Sequence, residues 1–445
     1  MAWLGAGAPL KELKVAVEQV ASGSAIAGGA SMGVSAVAGA VDAGRRRGAG
    51  LLTQRGVGFV AMLAMLMSFG SMSVDMYLPA MPQIARDLGV TQAGVESSLT
   101  AFFLAFGLCQ LFWGPMGDRF GRRGPILVGI LLYLAGSAGC AAAQNIATLS
   151  LCRAIQAAGA GAAPVLARAM VRDVFDRDRA ASVFSMMMLV MGIAPMAAPL
   201  LGGQVLAYLD WRAIFWVQAG FGLVAMAGLI SQPETLNPAL RARPNGLAQL
   251  RSYGQLMISG RFLGYALTSA MIYGGMFAYI AGTPFVYIDY FHVPARLYGL
   301  LFGLNIVGMI IVNMINSRLV LRLGTDRLLA LGAACIALFG IGLAAVGWFE
   351  ASWSGAAGLW GIVAGLFLFM AFTGLIGANA TAGALASYPH MAGTASALMG
   401  STQFVTGAVV GTLVGWLADG TPWPMAAIIG GVGVLGFIFN RLLIR

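Results

Sequence analysis

The chain has 445 residues, of which 59% are apolar and only 9% charged. A water-soluble domain carries about 25% charged residues, so the composition excludes one and indicates an all-α membrane protein with room for roughly a dozen spans. The net charge of +10 is not a nucleic-acid signature here, because the basic residues gather at the ends of apolar runs, as they do on the inner side of a membrane.

Residues 1–56 differ from the rest. They are rich in Ala, Gly and Ser, with a short amphipathic piece near Leu10–Val20 and the basic cluster Arg45, Arg46 and Arg47. A disordered cytoplasmic tail or an over-extended start is expected there, with a targeting peptide as the alternative. Apolar spans are then predicted over 57–80, 92–113, 125–143, 146–170, 181–207, 213–232, 262–288, 296–317, 326–348, 356–380, 393–418 and 423–440. A polar, Pro-containing break over 233–260 separates six spans (57–232) from six (261–445) and reads as a cytoplasmic linker.

Orientation follows from the basic residues. With the N-terminus inside, 22 of the 26 Lys and Arg fall in inner segments, and only Arg86, Arg212 and Arg296 fall outside. Arg153 lies within a span. The expectation is a bilayer-embedded chain with both termini cytoplasmic. Cys109, Cys140, Cys152 and Cys335 lack metal or disulfide spacing, and no G-x-x-x-x-G-K-[ST] loop is present. No metal, cofactor or catalytic constellation is therefore expected: the two histidines, His292 and His390, lie far apart.

Gly114–Pro125, GPMGDRFGRRGP, sets Asp118, Arg119, Arg122 and Arg123 between two spans. Gly114 and Gly121 are expected to free the backbone for a tight turn. The carboxylate can accept from helix-end N–H groups or an Arg, and the arginines can meet acids or lipid headgroups. The spacing suggests a gating loop. Its counterpart after the eighth span, SRLVLRLGTDR, keeps Arg322 and Gly324 but has Leu321 in place of Asp118, which suggests two related six-helix bundles around a central path.

Asp75 is the sharpest single candidate, because an ionisable group inside a span is costly and marks a pathway. Ser68, Ser71 and Met72 share its helical face, and Pro79 and Pro82 suggest that the span ends soon after. Arg153, within the fourth span, needs a partner or an aqueous cavity. The expectation is that it shares a cavity with Asp75 and that Gln156, one turn on, lines the same face. In the fifth span Gly192, Pro195, Pro199, Gly202 and Gly203 fall on one stripe, a candidate hinge or seal.

These residues resemble the major facilitator superfamily, whose loop between the second and third helices is similar to GPMGDRFGRR. Within it the chain most resembles the Bcr/CflA-type (bicyclomycin/chloramphenicol resistance) drug:proton antiporters. The resemblance lies in DMYLPAMP at Asp75–Pro82, RAIQAAGAGAAPVLARAMVRDVF at Arg153–Phe175, APLLGG at Ala198–Gly203 and WRAIFW at Trp211–Trp216. It implies alternating access by rocking of two six-helix bundles and proton-driven export of hydrophobic, drug-like small molecules; the expected setting is a bacterial inner membrane and the expected state a monomer, though the sequence does not give the oligomeric state. By position it makes Asp118 part of an inner-face gating network, Arg153 the fourth-helix arginine tied to proton coupling, and Asp75 the first-helix acid. Ala198 departs from the general antiporter motif, which has Gly before the proline. Two alternatives stand beside this reading: proton-coupled uptake of a metabolite, and a non-transporting receptor or scaffold, in which Asp75 and Arg153 substitutions would change no flux.

Overall fold

The computed structural model describes residues 56, 58–175, 177–238, 241, 246–350, 356–388 and 391–444. The expected tail lies outside the described residues, apart from Gly56. Val57–Arg445 forms one compact unit, built among the described residues from helices without a strand.

Among the described residues twelve spans follow one another, the first of them a bent helix pair counted as one. They are α1 (Gly58–Met67 continued by Phe69–Leu88), α2 (Gln92–Phe120), α3 (Arg123–Ala141), α4 (Ile146–Val174), α5 (Val190–Tyr208), α6 (Arg212–Ile230), α7 (Gly260–Tyr290), α8 (Ala295–Leu323), α9 (Thr325–Phe349), α10 (Ala357–Ala386), α11 (Gly393–Leu417) and α12 (Trp423–Leu443). The helix containing α5 begins earlier, at Arg177. Long apolar helices satisfy their own backbone groups, the only open-chain solution in lipid. Thr91, Asn145 and Ser259 start α2, α4 and α7 by accepting from the backbone N–H three residues on, the usual side-chain cap.

Three departures from the sequence expectation matter. First, α1 does not end near residue 80. It bends by 44° at Ser68, where the Ser68 hydroxyl donates to the Ala64 carbonyl at 3.0 Å, a back-bond that bends helices. It then passes Pro79 and Pro82 as helix-starting prolines and stops only at Gly89, φ 62°. Proline is tolerated in a first turn, where its missing N–H is not needed. Asp75 therefore sits well inside the span. Second, Gly114 is not a turn residue: α2 runs 29 residues to Phe120, and the turn is confined to Gly121 and Arg122. Third, the linker holds a 13-residue helix, Gly246–Ile258.

The pseudo-repeat is visible in the backbone. α8 is also 29 residues long, and Gly324 (φ 78°) ends it as Gly121 (φ 93°) ends α2. Leu321, the counterpart of Asp118, is 88% exposed. Within the first half α3 packs on α4 and α6, α2 on α4, and α1 on α5. Within the second, α12 packs on α7 and α9, α7 on α11, and α10 on α8 and α9. Between halves, α1 makes smaller contacts with α7 and α8, and the most extensive contacts are α2 with α11 and α5 with α8. From the end of the molecule opposite the Gly121 turn, called the far end below, these seams reach to Gln110–Gly400 and Gly192–Ile310.

Candidate functional site

Arg153 on α4 is fully buried. Its Nη1 donates to the Ser73 carbonyl of α1 at 2.9 Å and to Gln156 Oε1 at 2.6 Å. Gln156 in turn donates to Ser137 of α3 and to Gln218 of α6, both at 2.8 Å, and Gln218 donates back to the Met72 carbonyl at 3.0 Å. The guanidinium lies 4.6 Å from the Tyr77 ring centroid and 4.3 Å from that of Phe102. Aromatic faces attract a desolvated cation, and here they take the place of a carboxylate. Arg153 and Gln156 do share a face, as expected. Nε and Nη2 of Arg153 have no hydrogen-bond partner.

The expected meeting of Asp75 with Arg153 does not occur: among the described residues no ion pair joins them. Asp75 is 5% exposed and accepts from the Ser71 hydroxyl. It lies within electrostatic reach of Tyr279 on α7 and Tyr298 on α8. Asn305 of α8 donates to the Tyr279 hydroxyl at 2.9 Å, and Tyr298 shares a hydrogen bond with Thr283 at 2.9 Å. Two residues beyond the Arg153 anchor in α1, Asp75 thus lies within electrostatic reach of the second half, while Arg153 is held inside the first. An aromatic cluster also bridges the halves: Phe103 and Phe106 of α2, Phe277 of α7 and Phe404 of α11, with centroids 4.3 Å apart for Phe103–Phe277 and 4.8 Å for Phe106–Phe404.

In the motif, Arg122 pairs with Asp118 at 2.5 Å and with Asp173 of α4 at 2.8 Å. Its backbone N–H donates to Glu234 Oε1 at 2.8 Å, and that of Arg123 donates to Oε2 at 3.1 Å. Thr235 and Leu236 add two further N–H donors to Oε1. Burial raises the Glu234 pKa, but the four N–H groups outweigh it and hold the carboxyl below its ordinary range. Gly121 is required twice over: its φ is positive, and a Cβ there would strike the Glu234 carboxylate. Arg123 also donates to the Ile230 carbonyl at 2.8 Å. Arg119 lies over the neighbouring Phe120 ring. Among the described residues, the partners of Asp118, Arg122 and Arg123 lie in the first half or, with Glu234, at the start of the linker.

On α5 the stripe divides its contacts. A Cβ on Gly202 would strike the Met76 carbonyl of α1. One on Gly203 would lie 2.6 Å from the Ala295 carbonyl of α8, and one on Gly192 would lie 3.7 Å from Ile310. Pro195 and Pro199 sit inside the same continuous helix.

Sequence reasoning missed Gln218, Glu234, Asp173 and the aromatic walls around Arg153. Gln218 and Glu234 carried a signal, as a polar residue inside the sixth span and an acid directly after it. The aromatic residues carried none, because rings are spread through every span.

The major facilitator superfamily model matches residues 57–411. The chain belongs to the major facilitator superfamily. Membership makes it a multi-pass membrane transporter and not an enzyme. Among superfamily relatives, it is 34% identical to a bicyclomycin resistance protein homolog of Haemophilus influenzae, over 85% of this chain and 94% of that one. It is 30% identical to a chloramphenicol resistance protein of Pseudomonas aeruginosa, over 80% and 83%. Its fold is that of the superfamily: a D-xylose-proton symporter superposes with a TM-score of 0.66 at 14% identity, over 86% of this chain and 97% of the other.

Proposed function

We propose that the protein exports drug-like small molecules in exchange for protons, across the inner membrane of a bacterium. Its two halves, 57–232 and 261–445, would alternate access to a central site. The observation that carries this reading is the buried Asp75 on α1, within electrostatic reach of Tyr279 and Tyr298 of the second half. A carboxyl in that position meets water from one side or the other as the halves separate, so it can take a proton on one side and release it on the other. The ring cluster of Phe103, Phe106, Phe277 and Phe404 offers apolar and aromatic surface between the halves, the lining expected for hydrophobic ligands. The resistance proteins among its relatives support export over uptake.

The same reading gives Arg153 the task of holding α1 to α4 and α6 while Asp75 changes its proton. It makes the Gly121 turn a cytoplasmic brace of the first half, with both chain termini on that side. The far-end seams of α2–α11 and α5–α8 then close the outer side.

Proteoliposomes with an imposed proton gradient test the proposal against a panel of drug-like compounds. Wild type is expected to accumulate substrate against its gradient, by about 50-fold per coupled proton at 100 mV. Asp75→Asn is expected to lose that accumulation while still exchanging labelled for unlabelled substrate. Proton-driven accumulation that survives in Asp75→Asn would remove the proton role. Proton-coupled accumulation of a nutrient in the inward direction would favour uptake.

A further inference from the structure

The structure holds a second buried carboxylate, on α2, that the central site does not use. Glu96 is 1% exposed and lies on the α2–α11 seam near the far end. Its Oε1 accepts from Gln92 on its own helix at 2.7 Å. Its Oε2 has no hydrogen-bond partner and rests against Gly415 of α11, where an added Cβ would lie 2.5 Å away. The seam continues one turn on with the Thr100–Thr412 hydrogen bond at 3.0 Å, and further with Gly107 packed on Phe404.

No cation balances Glu96: among the described residues it makes no ion pair. On its own helix the nearest polar group is Gln92, and toward α4 the seam of α2 offers Ser97 with Ser150. At the same end, Arg86 of α1 is engaged by Asp289 of α7 at 2.9 Å, and Tyr290 by Glu350. Asp419, just past α11, accepts from Thr421, and His292 lines the neighbouring cavity with Gln92. An ionised carboxylate pressed against a glycine backbone with one oxygen unpartnered is costly to bury. A neutral carboxylic acid is not.

We propose that Glu96 is a second proton-binding site, one that fastens the α2–α11 seam when it holds its proton. Closing the seam removes Glu96 from water and draws the proton in. Opening it hydrates the carboxylate and returns the proton to the side from which it came. Glu96 thereby sets how readily the far end opens and leaves the transported proton to the central site. The inference rests on the reading that the two halves part at this end during transport.

Spin-label distances across the far end test it in the full chain reconstituted in nanodiscs. The labels go on Tyr208→Cys and Phe349→Cys, after replacement of the four native cysteines. All measurements are made on an Asp75→Asn background, so that the central carboxyl contributes no pH dependence. Between about pH 5 and pH 9, the closed-to-open ratio is expected to rise as pH falls, by up to tenfold per unit for one proton. Glu96→Gln, which keeps shape but cannot ionise, is expected to stay closed across that range. Gly415→Ala, which keeps the carboxyl but wedges the seam, is expected to shift the same profile toward the open state. A Glu96→Gln protein with the unaltered pH profile overturns the proposal, as does a Gly415→Ala protein with the unaltered closed fraction. Neither result bears on Asp75, whose role is read from proton-driven flux and not from this distance.

Discussion

The backbone N–H of Arg122 donates to the carboxylate of Glu234 at 2.8 Å, which ties the turn after α2 to the chain leaving α6. The two residues are 112 apart in sequence. Together with the Arg122–Asp118 and Arg122–Asp173 pairs, this contact makes the charged motif a brace that joins the ends of α2, α3, α4 and α6.

The Glu234 carboxyl is held below its ordinary pKa by N–H donors, so its stabilising effect is present above the unfolded-state value of about 4.3 and is lost as pH falls through the lower folded value. Glu234→Gln is expected to melt below wild type at pH 7. The gap should narrow in acid and close below the folded value. Thermal melts of the purified protein at stepped pH measure it. A gap that widens in acid would contradict the assignment.

The two acids that share Arg122 are not equivalent. Asp173 has a side chain 16% exposed, whereas that of Asp118 is 54% exposed. An exposed pair contributes about 1 kcal/mol or less, while stranding one partner of a buried pair costs about 3–5 kcal/mol. Asp118→Asn is expected to leave the melting temperature nearly unchanged. Arg122→Ala, which strands Asp173, should lower it by far more. Differential scanning fluorimetry of both variants in one detergent ranks them.

Arg153→Lys keeps the charge but not the planar fork or the stacking face. Lysine cannot reproduce the guanidinium's bonds to Ser73 and Gln156 together with its seat between Tyr77 and Phe102. Each lost charged hydrogen bond is worth about 1.5–3 kcal/mol. Proton-driven transport is expected to fall by about tenfold or more at equal protein level. Flux in everted vesicles, normalised by immunoblot, checks this.

Gly203→Ala places a methyl against the Ala295 carbonyl of α8. The neighbour is backbone and cannot rotate away, so overpacking of about 1–3 kcal/mol is expected. The α5–α8 seam should loosen. Thiol labelling of a cysteine placed at Leu297 should speed up relative to the same cysteine with Gly203 intact.

The span count and the charged motif between the second and third spans were readable in the chain, because apolar length and charged punctuation are local properties. The ends of α1, α2 and α8 were not. Pro79 and Pro82 read locally as a stop, yet each sits at a helix start within one bent span. Gly114 read as a turn, yet only Gly121 has the positive φ that a turn after a helix needs.

The sequence by itself determined that this is a twelve-span transporter of the major facilitator superfamily, with an acid in its first span and an arginine in its fourth. Burying a charge in lipid is so costly that its presence alone marks a site. Which groups surround each charge was decided only by the tertiary structure. Asp75 lies within electrostatic reach of Tyr279 and Tyr298 of the other half of the chain, Arg153 is seated between aromatic faces, and Glu96 is closed over by Gly415. Such neighbours are set by how helices cross, and no spacing along the chain encodes them.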